Sequence, residues 1–246
     1  MDQATQRLLA ARQHPGRRAV MHQRWDDLFF FHWRVDPTEV QRRLPRGLTV
    51  DCFEGATYLG VVGFKMNAVR PAGLPPLPWL SFFNELNVRV YVRAADGEPG
   101  VFFFSLDCDR WPAVKIARAQ FALNYQHARM RHQADGQGFT LDCRRAGTTA
   151  NAHYAWQPAG PPAVAEPGTL DFFLAERYNF FTEKNGRLLR GQVHHTPYTL
   201  QKAEVLAWSE APVAWDDFPT TQRPPDLAHA SPGVSIEAFG LVPAHA

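Results

Sequence analysis

SFFNELNVRVYV (Ser81–Val92), VFFFSLDCD (Val101–Asp109) and WPAVKIARAQFALNYQHARMRH (Trp111–His132) follow one another closely, with a turn between the first two. Two strongly β-patterned runs therefore feed an amphipathic helix, which leads into another extended run. Because successive strand side chains alternate faces, Leu86, Val88, Val90 and Val92 point one way while Glu85, Asn87, Arg89 and Tyr91 point the other. A strand with one oily face and one face of carboxylate, amide, guanidinium and phenol either meets water or lines a polar cavity. The alternation leaves both readings open.

Upstream, residues 4–13 read as a short exposed helix with Leu8 and Leu9 as its only apolar bulk, ended by Pro15-Gly16. Residues 1–20 are thus expected to form an N-terminal arm and residues 21–246 a single domain. WDDLFFFHWRV (Trp25–Val35) is extended and runs into Asp36-Pro37-Thr38-Glu39. There Asp at N-cap, Pro at N1 and Glu at N3 predict a helix over Pro37–Leu44, stopped by Pro45 and Gly47. LTVDCF (Leu48–Phe53) and ATYLGVVGFKM (Ala56–Met66) then read as strands, the second apolar enough to be buried on both faces. NAVRPAGLPPLPWL (Asn67–Leu80) carries four prolines and a glycine, so it is expected to be irregular, either a connector or a lid over a pocket.

Downstream, His127–His132 and Gly138–Arg144 predict a hairpin around Ala134-Asp135-Gly136-Gln137, and Asn151–Gln157 another strand. PAGPPAVAEPG (Pro158–Gly168) reads as a connecting loop. Thr169 is placed to cap a helix over LDFFLAER, followed by extended YNFFT. Glu183-Lys184-Asn185-Gly186 is a hairpin turn, since Asn-Gly accepts the positive φ that a type I′ turn demands. It returns as RLLRGQVHH, continues extended through Thr196–Glu210, and closes with Val234–Val242. About ten strands and three or four helices predict an α+β, mainly antiparallel, barrel-like domain.

The 246 residues suffice for a sizeable core, and 45% apolar with 20% charged residues is the balance of an ordinary globular protein. Eighteen Phe and seven Trp suggest aromatic-rich strands packed on one another. A net charge of +2 with scattered basic residues gives no footprint for nucleic acid or an anionic membrane. No run approaches membrane-spanning length and the N-terminus has no apolar leader core, so a cytoplasmic location is expected. Cys52, Cys108 and Cys143 form no ligand pattern and read as free thiols. No nucleotide, metalloprotease or nucleophile-elbow motif occurs, and neither a metal nor another cofactor is expected. His194 and His195 are adjacent, so on a strand they face opposite ways; that argues against joint metal ligation and leaves one to point inward as an acid/base group. Glu176, Arg177 and Tyr178 end a largely apolar helix and read as an ionic anchor of helix to sheet.

FNELNVRVYV, FFFSLD, AVKIARAQFALNYQHARM, FLAERY and GQVHHTPYTLQKAE, in that order and spacing, resemble the YqjF-like family of uncharacterised bacterial proteins within the acetoacetate decarboxylase-like superfamily. The likeness covers about Trp25–Val242. It implies a cone-shaped antiparallel β-barrel with a mostly apolar cavity. In acetoacetate decarboxylases the imine-forming lysine lies in a GREIWGFPKK-like segment. Laid on Ala117–Gln126, that segment matches Arg118 to the family arginine and Phe121 to the aromatic position, with Asn124 at the proline. Tyr125 and Gln126 fall at the lysine pair, so the nucleophile is absent, whereas the glutamate of a YxEL-like strand matches Glu85. A phenol forms no imine, though it donates a hydrogen bond or a proton. Only Lys65, Lys115, Lys184 and Lys202 exist to substitute, and Lys65, in a buried-looking strand, is the most interesting of them.

The resemblance and the polar strand together point to a pocket for a small organic acid or carbonyl compound. Asn87, Arg89 and Arg118 are the expected binding residues, with an arginine clamping a carboxylate. Glu85 is expected as general acid/base, Tyr125 as hydrogen-bond donor to a carbonyl or enolate, and His195 as a contributor from a neighbouring strand. Such a pocket suits a lyase or hydratase without covalent catalysis. Its rival is a ligand-binding or assembly protein that keeps the barrel without the chemistry, in which Glu85 and Arg89 neutralise each other. The two separate on the titration of Glu85, raised in an apolar pocket or depressed by full pairing. Assembly as a homo-oligomer is compatible with either.

Overall fold

The computed structural model describes residues 1–136 and 138–244. Along the chain they form α1 (Gln3–Ala11), β1 (Met21–Val35), α2 (Pro37–Gln41), β2 (Leu48–Val50), β3 (Thr57–Pro71), β4 (Phe83–Ala94), β5 (Pro99–Cys108), α3 (Trp111–Phe121) and β6 (Tyr125–Ala134). There follow β7 (Phe139–Arg145), β8 (Ala152–Val164), α4 (Leu170–Ala175), β9 (Asn179–Lys184), β10 (Arg187–His194), β11 (Thr199–Ala207), α5 (Ala211–Trp215) and β12 (Leu227–Pro243).

Strand pairing closes on itself. β1, β3, β4, β5, β9, β10 and β12 pair in succession and β12 returns to β1, which makes a ring of strands. A second path leaves β5 through β6, β7, β8 and β11 and rejoins at β12. The strands β12, β1, β3, β4 and β5 are therefore a wall shared by two enclosures. Pairing is antiparallel except beside β5, which runs parallel to β6 and β9. Parallel neighbours need a long crossover, and α3 supplies it between β5 and β6.

The alternation in β4 sorts its residues between the two enclosures. Leu86, Val88, Val90 and Val92 join Phe29, Phe31 and Trp33 of β1, Leu141 of β7 and Tyr154 and Trp156 of β8 in the larger core. The opposite face of the wall, with Leu28, Phe30, Val62, Phe64 and Phe83, surrounds a cavity and is closed over by α3. β5 carries one extra residue opposite Val88–Arg89, so that Phe103 faces the cavity side and Phe104 the larger core.

Several expectations are corrected. α1 is not exposed, because Leu8 and Ala11 are buried and Arg12 bonds Glu176 at 2.9 Å. β3 continues through Pro71, since Arg70 and Pro71 still pair with β1. β8 likewise runs to Val164 through the segment expected to be a loop. Among the described residues β7 meets β8 only over Ala152–Trp156, so the prolines that follow lie where β8 has β11 on one side and an open edge on the other, which is where strands tolerate proline. α2 ends at Gln41, α5 was not expected, and β12 starts at Leu227. In the expected turn of the β6–β7 hairpin, Gln137 lies outside the described residues. The type I′ signal at Asn185-Gly186 holds, with φ of 53° and 71°.

Candidate functional site

The cavity inside the seven-strand ring has a volume of about 340 Å³. Its wall is mostly hydrocarbon and aromatic, with Trp25, Phe30, Phe64, Phe103, Phe121 and Phe180 among the lining residues. Pro71 at the end of β3 and Ile116 and Gln120 on α3 are lining residues exposed to solvent, so the mouth lies between the end of β3 and α3. Polar groups are few. Glu85, Asn87 and Arg89 enter from consecutive inward positions of β4, opposite Phe64, Val62 and Gly60 of β3.

Glu85 is buried, its Oε2 accepting from the Tyr125 hydroxyl at 2.6 Å and its Oε1 from Asn87 Nδ2 at 3.2 Å. Burial outweighs those two hydrogen bonds and pushes its carboxyl up to about 7. The Tyr125 phenol is raised well above its usual value, by burial first and by the neighbouring Glu85 second. Asn87 leaves its Oδ1 without a partner among the described residues. Arg89 is buried, rests against Phe30 at 5.5 Å, and gives its only hydrogen bond among the described residues, a long one of 3.4 Å, to the Leu174 carbonyl. Its Nε has no acceptor, and no carboxylate lies within ion-pair distance of it among the described residues. Glu85 and Arg89 therefore do not neutralise each other.

Local structure explains how Tyr125 reaches Glu85. α3 ends on Ala122 in the left-handed region, at φ 51°, and the chain turns at once into β6. Asn124 ties that turn to β5 through Phe104 O at 2.6 Å, and Arg118 Nε donates to Tyr125 O at 2.6 Å.

Two expected site residues lie elsewhere. Arg118 is exposed and does not line the cavity, because the cavity-facing stripe of α3 is Ala113, Ile116, Ala117, Gln120 and Phe121, and Arg118 projects beside it. Its contacts are with the Tyr125 carbonyl at 2.6 Å and the Gln126 side-chain oxygen at 3.3 Å. His195 is buried but not in the cavity wall. It stacks on Tyr178 at 4.6 Å and packs against Tyr198, and Tyr198 is the one that faces the cavity. Burial lowers the imidazole to about 4, so it is neutral near pH 7, with Nδ1 2.7 Å from the Thr196 carbonyl.

No lysine is among the described residues of the cavity wall. Lys65 alternates outward between Phe64 and Met66 and pairs with Asp27 at 2.7 Å, and Lys115 lies over the Trp111 ring. Lys184 donates to the Ala119 carbonyl. Cys52 is half-buried, Cys108 and Cys143 are buried, and all three are free thiols. No cluster able to hold a metal ion occurs among the described residues. Glu176, Arg177 and Tyr178 form two buried anchors. Glu176 accepts from Arg12 and from Tyr178, and Arg177 bonds Asp51 at 2.8 Å. Sequence reading missed Arg70, which lines the cavity from the part of β3 expected to be irregular. It also missed the aromatic lining, since Phe30 and Phe180 are indistinguishable in pattern from core residues.

The description "uncharacterized conserved protein", that of the DUF2071 family, matches residues 22–235. The uncharacterized protein YqjF of Bacillus subtilis (strain 168) is 36% identical over 186 residues, covering 75% of this chain and 76% of its own. The crystal structure of acetoacetate decarboxylase from Legionella pneumophila superposes with a TM-score of 0.64 at 14% identity, over 95% of this chain and 94% of the other. The enduracididine biosynthesis enzyme MppR, complexed with the condensation product of pyruvate and imidazole 4-carboxaldehyde, superposes at 0.61 with 12% identity, over 92% and 90%. An acetoacetate decarboxylase-like enzyme from Sphingomonas wittichii RW1 gives 0.59 at 14% identity, over 92% and 94%. No helix among the described residues is long and apolar enough to cross a membrane.

Proposed function

The chain belongs to the DUF2071 family and carries the acetoacetate decarboxylase-like fold, and we propose that its cavity binds a small organic acid bearing a carbonyl group and moves a proton on it without forming an imine. The observation that carries this reading is Arg89, a guanidinium buried in the cavity with no carboxylate partner among the described residues. A buried cation without an anion costs several kcal/mol, and a ligand carboxylate removes that cost. The solved complex of MppR with a pyruvate-derived product is consistent with a ligand of this class.

Glu85 is the acid/base group. A carboxyl held at about 7 is present in both protonation states near neutral pH, the condition under which a general acid/base works best. In its ionised form it takes a proton from the carbon next to the ligand carbonyl. The C–H electron pair becomes the enolate double bond; once Glu85 carries the proton it no longer accepts from the phenol, and the Tyr125 hydroxyl turns its one hydrogen to the enolate oxygen. The proton on Glu85 then returns to carbon, or protonates a departing β-hydroxyl that leaves as water.

Two measurements test this. A thermal-shift panel of keto and hydroxy acids is expected to stabilise the wild type and not Arg89→Ala; an equal response in both removes the carboxylate clamp. In heavy water, bound keto acids are expected to gain deuterium next to the carbonyl, read by NMR, and to lose that exchange in Glu85→Gln. Binding without exchange in the wild type leaves a ligand-binding protein that keeps the barrel and lacks the chemistry.

A further inference from the structure

The size and lining of the cavity set the ligand class more narrowly than its polar groups do. Given that a water-sized group occupies roughly 30 Å³, about 340 Å³ holds on the order of ten such groups. An acid of pyruvate size fills well under half of it. The surplus space is largely apolar, with Gln23, Arg70 and Gln120 as further polar side chains of its wall. Glu85, Asn87 and Arg89 are confined to one strand, and Phe64, Met66, Phe83 and Leu106 stand beside them with Ala113 and Ala117 of α3 across the cavity. Along β3 and β4 the side chains change from Arg89, Asn87 and Glu85 to Phe83 paired with Met66, and the lining continues through Val69 and Leu80 toward the mouth. A ligand with its carboxylate on Arg89 therefore passes Asn87 and Glu85 and sends the rest of its body along hydrocarbon.

We propose that the natural ligand is a carboxylic acid with an extended apolar body of about six to ten carbons, its head on Arg89 and its tail against α3 and the end of β3. The proposal rests on the carboxylate reading above and adds the size and polarity of the body. Small residues on the cavity face of α3 supply the room, since Ala113 and Ala117 lie where larger side chains would occupy the tail's path.

The test is a calorimetric series of straight-chain monocarboxylic acids of increasing length, with 3-phenylpropionate as an aromatic arm and pyruvate and acetoacetate as short references. Affinity is expected to rise about three- to fourfold per methylene while the added carbons are buried, and to level off near ten carbons. Ala117→Leu, which fills part of the tail's path, is expected to bring that levelling to a shorter acid. A series flat in length, or one whose tightest member is pyruvate or acetoacetate, overturns the apolar body. If those short acids still bind in an Arg89-dependent manner, the carboxylate reading stands without it. If no acid of any length binds, both fall. A levelling point unmoved by Ala117→Leu overturns the placement of the tail against α3.

Discussion

The Tyr125 hydroxyl donates a 2.6 Å hydrogen bond to Oε2 of Glu85, joining β6 to β4 across the intervening β5 inside the cavity wall. This bond favours the carboxylate and works against the burial that raises Glu85 to about 7. Tyr125→Phe is therefore expected to move the Glu85 titration higher. Carbon-detected NMR of the labelled carboxyl reads it directly, and an unchanged or lowered midpoint shows that the phenol does not act on Glu85.

Glu85 also makes folding stability depend on pH. The folded protein holds this proton more tightly than the unfolded chain, whose glutamate titrates near 4.5. Its contribution is thus most favourable below about pH 4.5 and is lost as pH rises toward 7, by about 3 kcal/mol in all. Glu85→Gln has no such proton to lose. Urea denaturation at pH 5 and pH 8 is expected to show the variant gaining about 3 kcal/mol on the wild type between the two. A constant difference means that Glu85 is not held protonated by burial.

The β4 stretch was legible because period-two alternation is a local property; Glu85, Asn87 and Arg89 of its polar face line the cavity, whereas Tyr91 packs beyond it, bonded to His32 and the Leu174 carbonyl. The alternation marked Glu85, while its role and that of Tyr125 came from the resemblance, since their contact joins residues forty apart in sequence and no spacing rule links them. Arg118 and His195 were misplaced for one reason. Whether a side chain enters a cavity depends on the rotation of its element about its own axis, and α3 turns Ala117 inward and Arg118 outward, while Tyr198 stands between His195 and the cavity. Prolines misled at β3 and β8, because their cost depends on which strand edge is open, and only the pairing decides that.

The Arg177–Asp51 pair, 2.8 Å apart with both side chains nearly inaccessible, predicts an asymmetry between its two halves. Asp51 has a second cation, Arg93, at 2.6 Å, whereas Arg177 has no other carboxylate among its described contacts. Asp51→Asn leaves a buried guanidinium without an anion and is expected to cost about 3–5 kcal/mol. Arg177→Met leaves Asp51 still paired and is expected to cost less. Equal losses by chemical denaturation contradict the ordering.

A fold that elsewhere carries an imine-forming lysine makes covalent trapping the sharpest check on the chemistry. An imine requires an uncharged amine within reach of a carbonyl in the cavity. Lys65 is directed away from the cavity and held by Asp27 at 2.7 Å. Lys115 sits over the Trp111 ring on the exposed side of α3. Incubation with acetoacetate or pyruvate followed by borohydride is therefore expected to leave the intact mass unchanged. In parallel samples without borohydride, deuterium exchange next to the ligand carbonyl should persist in Lys65→Met and disappear in Glu85→Gln. A stable adduct mapped to Lys65, with exchange lost in Lys65→Met, would instead require the lysine to turn inward and would replace Glu85 as the group that activates the ligand.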